Sequence, residues 1–147
     1  AMVWSAEDAP DAAMWLGAVA CSFLLVVGTA AWLLVLAGLD GKPAQATRLV
    51  AFCARAEIVS LLLLAAATLA TASAVITGGW PPRTLAAAGL TLLGWLEYVN
   101  YYHWQLQNFD SQIDAKRLAA GRGLRRAHMG RAVRAWRARR RRRRRRN

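Results

Sequence analysis

Between Ala12 and Leu39 the chain runs 28 residues with Ser22 and Thr29 as its only strongly polar side chains. About 20 residues at 1.5 Å rise cross a hydrocarbon core of about 30 Å, so the segment reads as a membrane-spanning helix with length to spare. A cleaved signal peptide would need a basic start, whereas Glu7, Asp8 and Asp11 precede this stretch.

The remainder follows the same pattern. Asp40, Gly41, Lys42 and Pro43 interrupt the apolar run with turn formers and charge. A second apolar segment covers 49–77, with Arg55 and Glu57 near its start and no charge from Ile58 onward. The stretch 58–77 is already a full span. Arg55 and Glu57 are therefore expected at the interface or just outside it, because a charge at the bilayer centre costs at least about 2.5 to 3.5 kcal/mol. After a turn at 78–83 that contains Trp80, Pro81 and Pro82, a third helix is expected over 82–108. Its apolar part, 85–96, is too short to span alone, so the crossing requires polar and aromatic residues as far as Trp104 to lie within the bilayer.

The expected fold is all-α and polytopic, with three transmembrane helices and a basic, partly helical C-terminal tail. It divides into a short acidic extracytoplasmic N-terminus (1–11), a transmembrane domain (12–108, spans 12–39, 49–77 and 82–108) and a cytoplasmic polybasic tail (109–147). Charge supplies the orientation. The net charge of +12 comes from 20 Lys and Arg against 8 Asp and Glu, and every residue from Lys116 onward that carries charge is basic, ending in an unbroken arginine run over 139–146. Lys42, Arg48 and Arg55 follow the first span, Arg83 alone marks the second loop, and no basic residue precedes the first span. The positive-inside rule then predicts N-terminus outside, first loop inside, second loop outside and tail inside, in a bacterial plasma membrane.

The third segment carries the constellation with most chemical content. On a helix, Glu97, Tyr101, Trp104, Gln105 and Asn108 share one face, with Asn100 beside them. Such a face should point at protein rather than lipid. Arg55, Glu57, Glu97, Asn100, Tyr101 and His103 form the candidate polar intramembrane cluster, in which Arg55 is expected to pair with Glu97. Arg55 and Glu57 are two apart on a helix and do not face each other. Tyr98, Tyr101, Tyr102 and Trp104 read as an inner aromatic belt, and Trp4, Trp15 and Trp80 as an outer one. Small residues at Ala66, Ala70 and Ala74, Gly17 and Cys21, and Ala18 and Ser22 suggest helix contacts, with the second helix expected to be the one packed on several sides.

In the tail, Met129, Val133 and Trp136 recur at i, i+4, i+7 and suggest a stripe lying on a membrane surface. Arg125, Arg126, Arg131, Arg134, Arg137, Arg139 and Arg140 are the expected contacts to anionic lipid headgroups or an acidic partner. Nucleic acid is disfavoured, since the aromatic interleaving and fold motifs of nucleic-acid modules are missing. Cys21 and Cys53 form no CxxC pair and read as packing residues, and neither metal nor cofactor is expected. There is no Walker loop, GxSxG or HExxH motif. The expectation is a non-enzymatic accessory, structural or assembly subunit of a larger membrane complex or homo-oligomer. Its rivals are an oligomeric proton, ion or small-solute pathway using Glu97, and a small lipid-modifying enzyme using Glu97, Asn100 and His103.

Overall fold

The computed structural model describes residues 11–106 and 124–145, with Lys116 and Ala120 between them. Among the described residues there are four helices and no strand. The first, α1 (Ala12–Leu39), starts where the carboxylate of Asp11 accepts the Met14 N–H at 2.9 Å, satisfying one of the free donors of the first turn. It ends at a tight turn in which Gly41 adopts φ +66° and the Lys42 N–H donates to the Ala37 carbonyl at 2.9 Å. The Lys42–Asp40 ion pair across this turn is exposed and adds little.

Helix α2 (Pro43–Gly78) begins six residues before the apolar segment that announced it, leaving a loop of only 40–42. Proline is at ease in a first turn, where its missing N–H has no partner to lose. Hydropathy marks the stretch suited to hydrocarbon, not the helix ends. At 36 residues α2 is about 54 Å long, well beyond a hydrocarbon core. It closes at Gly79, with φ +70°.

Helix α3 (Pro82–Tyr102) corrects the expectation of a helix to residue 108. The His103 N–H donates to the Val99 carbonyl at 2.9 Å and the chain then leaves the helix: Trp104 forms an antiparallel bridge with Arg126, and the Gln105 N–H donates to the Arg125 carbonyl at 2.9 Å. Two helices, α1 and α2, are long and apolar enough to cross a membrane, and not three. The α3 segment falls short because its second half carries Glu97, Asn100 and three tyrosines.

Packing follows the small residues. Gly17 of α1 lies under Leu90 and Thr91 of α3, Gly94 sits between Leu24 of α1 and Leu64 of α2, and Gly28 lies under Tyr101. This register runs α3 alongside α1 in the same direction and opposite to α2, where Thr91 meets Thr71 and Tyr102 meets Cys53. The most enclosed helix is α1 rather than α2. It buries ten residues in 28 against eight in 36, because both α2 and α3 pack along α1, whereas α2 is long enough to leave much of its surface uncovered. Gly17 and Cys21 are buried as their spacing suggested, whereas Ser22 is exposed and the buried stripe of α2 is Ser60, Leu64, Ala67 and Thr71.

Helix α4 (His128–Arg144) folds back across the end of the bundle. Met129 and Val133 are buried in the cluster that holds Cys53, Ala54, Tyr98 and Tyr102. The stripe expected on a membrane surface is thus spent on the protein: an apolar row one residue wide finds more complete burial against α2 and α3 than at an interface. Away from these seams, α1 and α2 present bare hydrocarbon, with Trp32 71%, Leu69 73% and Ile76 84% exposed.

Candidate functional site

The polar groups of the bundle lie on separate seams. On the first, α4 meets the early turns of α2. The 3.6-residue repeat puts Arg137, Arg140, Arg141 and Arg144 on one face of α4, opposite Ala54, Arg55, Glu57 and Ile58 of α2. Arg137 is the anchor: Nη1 lies 2.8 Å from Glu57 Oε2, and Nη2 donates to the Ala54 carbonyl at 2.9 Å. Glu57 Oε2 is enclosed and makes no aligned hydrogen bond, so this contact is an ion pair held by proximity. Beyond the anchor the two helices diverge into a groove of about 350 Å³, floored by Ala54, Ile58 and Trp136 and walled by guanidinium groups. Arg140 stands 5.4 Å over the Trp136 ring, a cation–π contact that fixes one wall.

Behind this seam the α3 tyrosines form an internal ladder. Tyr98 and Tyr102 rings are 5.0 Å apart, Trp95 meets Tyr98 edge-on at 5.9 Å, and His103 lies 5.5 Å from Tyr98. Tyr98 and Tyr102 are therefore core residues, not members of an interfacial belt. The reason is the Tyr102 hydroxyl, which reaches the Cys53 carbonyl at 3.0 Å and so satisfies its polar end inside the protein.

The second seam joins α3 to α1. Tyr101 packs on Gly28, where any Cβ would overlap its hydroxyl, and that hydroxyl lies within hydrogen-bonding reach of Glu97. Glu97 Oε2 is buried without a hydrogen-bond partner. A cavity of about 270 Å³ opens beside Tyr101, lined by Gly28, Trp32, Asn100, Gln105 and His128 among others. At the opposite end of the bundle, a groove of about 490 Å³ between α2 and α3 holds two side-chain bonds, Trp95 Nε1 to Thr68 Oγ1 at 3.0 Å and Thr71 to Thr91 at 3.3 Å.

The six residues expected to form one cluster are thus divided. Glu57 belongs to the α2–α4 seam, while Glu97, Asn100 and Tyr101 belong to the end of α3. The expected Arg55–Glu97 pair does not form among the described residues: Arg55 is exposed, and the carboxylate met by an arginine is Glu57, through Arg137. Asn100 Oδ1 accepts the Leu106 N–H at 2.8 Å, and His103 is exposed beyond the α3 end. Trp104 and Gln105 have left the helix, so the face drawn through them is cut off at Tyr101, and Asn108 lies outside the described residues. In the tail, Arg125 and Arg126 hold the return of the chain against Gln105 and Trp104 through their backbones. Arg131, Arg134 and Arg139 are exposed away from the groove. The sequence reading missed Arg141 and Arg144 as groove residues and Arg137 as the partner of Glu57. The signal was present in the i, i+3, i+4, i+7 spacing of Arg137, Arg140, Arg141 and Arg144. Comparison with family models, with curated proteins and with solved structures finds no match for this chain.

Proposed function

We propose that this chain is a small integral membrane protein of a bacterial plasma membrane that serves as an accessory or assembly subunit. The observation that carries the reading is the combination of bare apolar flanks on α1 and α2 with the collection of Arg55 and the α4 arginines at one end of the bundle. An apolar surface of this extent suits lipid or a partner helix, not water. Because α3 lies along both α1 and α2, a bilayer that takes the two apolar helices takes α3 with them, its polar groups turned largely inward. The arginine end then faces the cytoplasm by the positive-inside rule, and the N-terminus faces outward. Three helices leave much of each flank available, which supports association with further copies or with other membrane subunits.

Cysteine accessibility in intact and permeabilised cells tests the orientation, since Cys21 and Cys53 are both buried. Cysteine placed by Ala138→Cys should label only after permeabilisation, and by Trp80→Cys in intact cells. Labelling of both in intact cells overturns the topology. Migration of the protein in mild detergent as a bare monomer, alone and in whole-membrane extracts, overturns the subunit role. A second reading, a proton or ion pathway, draws on one observation: a buried Glu97 oxygen without a hydrogen-bond partner, one turn before the Tyr101 that lines a cavity. Flux through reconstituted protein that Glu97→Gln leaves unchanged removes it.

A further inference from the structure

We infer that the groove between α2 and α4 is a binding site for the headgroup of an anionic glycerophospholipid, with Arg55, Arg140, Arg141 and Arg144 around the phosphate and Ile58 and Trp136 against the glycerol and upper acyl chain. The site rests on the membrane reading above and makes it specific, replacing a diffuse attraction between a basic tail and a charged surface by a built pocket.

Three observations converge. The first is an imbalance of charge. Five arginines line the groove, and among the described residues the one carboxylate that meets any of them is Glu57, which is taken by Arg137. Among the described residues no carboxylate pairs with Arg55, Arg140, Arg141 or Arg144. The second is the cost of holding these groups together. Arg137 and Arg141, and Arg140 and Arg144, are like charges at i, i+4 on one helix, an arrangement that destabilises an isolated helix. An anion between α4 and α2 converts that repulsion into attraction, and guanidinium groups suit phosphate oxygens through paired N–H donors. The third is the position along α2. Ile58 is the first residue of the uninterrupted apolar run of α2, and Arg55 lies one turn before it. A ligand that touches both must be charged at one end and apolar at the other. Free phosphate meets only half of that description, whereas a lipid seated at the membrane boundary meets all of it.

The experiment uses the full chain in mild detergent and counts bound lipid by native mass spectrometry during titration with dioleoylphosphatidylglycerol, dioleoylphosphatidylcholine or inorganic phosphate. The anionic lipid should bind at least about tenfold more tightly than the zwitterionic one. The double variant Arg140→Gln/Arg141→Gln should lose about tenfold in affinity for it, and the charge-matched pair Arg131→Gln/Arg134→Gln, outside the groove, less than about twofold. Equal losses in the two variants would mean a diffuse field and would overturn the site, as would equal retention of the two lipids or binding of inorganic phosphate as tight as that of the lipid. Should the α4 variant fail to keep its helix by circular dichroism, Arg55→Gln tests the same groove from the α2 wall. A several-fold loss is expected there, and no loss overturns the site. Failure of the underlying reading looks different: the chain would stay in solution without detergent and retain neither lipid.

Discussion

The two acidic side chains within the helical bundle, Glu57 and Glu97, meet opposite fates. Glu57 lies where a later part of the chain returns, and a guanidinium group from α4 neutralises it at 2.8 Å. Glu97 lies where α3 faces the apolar surface of α1, and the polar group within its reach there is the neutral Tyr101 hydroxyl. The contrast shows how the bundle handles charge. Near the end that overhangs α3 there is room for a fourth helix to bring a counter-ion, while along the α1–α3 seam the Tyr101 ring packed on Gly28 brings only a neutral donor. The α4 seam is therefore a device held by electrostatics, and the α1 seam one held by shape.

The largest expected effects come from breaking the two close approaches on which the seams depend. A Cβ at Gly130 would land on the Tyr102 backbone carbonyl, which cannot move without unwinding the end of α3. Gly130→Val should cost about 3 kcal/mol of α4 docking and speed tryptic cleavage within α4 by on the order of a hundredfold. A Cβ at Gly28 meets the tip of the Tyr101 ring instead. Because a ring can swing, Gly28→Val should cost less, about 1 to 2 kcal/mol in a detergent-unfolding titration. A larger loss at Gly28 than at Gly130 would reverse the ranking of the two seams.

Next in size is the ion pair. Arg137 is 40% exposed and its partner 19%, so the figure for a fully buried pair must be discounted for solvent. Arg137→Gln, which strands an enclosed carboxylate, should cost about 1 kcal/mol. The double variant Arg137→Gln/Glu57→Gln should recover at least half of that. The same substitution at the other carboxylate carries the opposite sign. Glu97 Oε2 has no donor to lose, so Glu97→Gln should leave stability within about 0.5 kcal/mol of the parent or raise it. If Glu97→Gln destabilised the bundle as much as Arg137→Gln, the carboxylate would have to be held by a counter-charge from elsewhere, and the contrast between the seams would fall.

Composition makes the long helices legible because apolar runs of bilayer length are unambiguous in sequence: the first run coincides with α1 at both ends, and the second marks the core of α2. What stayed hidden depends on where the chain goes after Tyr102. Nothing in the polar string that follows shows that the helix stops at His103 or that Ala127 returns to donate to its carbonyl at 3.1 Å. Without that return, Met129 and Val133 read as an amphipathic stripe that lacks a partner, and nothing in the sequence names Arg137 as the counter-ion of Glu57. The arginines were legible as charge and illegible as a groove, since a groove requires two walls and the sequence displays one.

The smallest loss expected from breaking a bond concerns the end of the bundle that lacks α4. There α2 and α3 are joined by hydroxyls: Trp95 Nε1 donates to Thr68 Oγ1 at 3.0 Å, while Thr68 itself donates to the Leu64 carbonyl at 2.7 Å. Thr68 thus acts as a relay, its own proton spent within α2 and its lone pair offered to α3. In an apolar surround such a bond has a modest net worth, because a stranded indole N–H finds other acceptors once the helices part. Thr68→Val should therefore cost only about 0.6 kcal/mol. The longer Thr71–Thr91 contact at 3.3 Å should cost no more on Thr91→Val. A steric-trap or detergent-titration measurement resolves both. Losses here equal to that of Arg137→Gln would mean that hydroxyl bonds, rather than the ion pair carried in by α4, set the strength of the α2 seam.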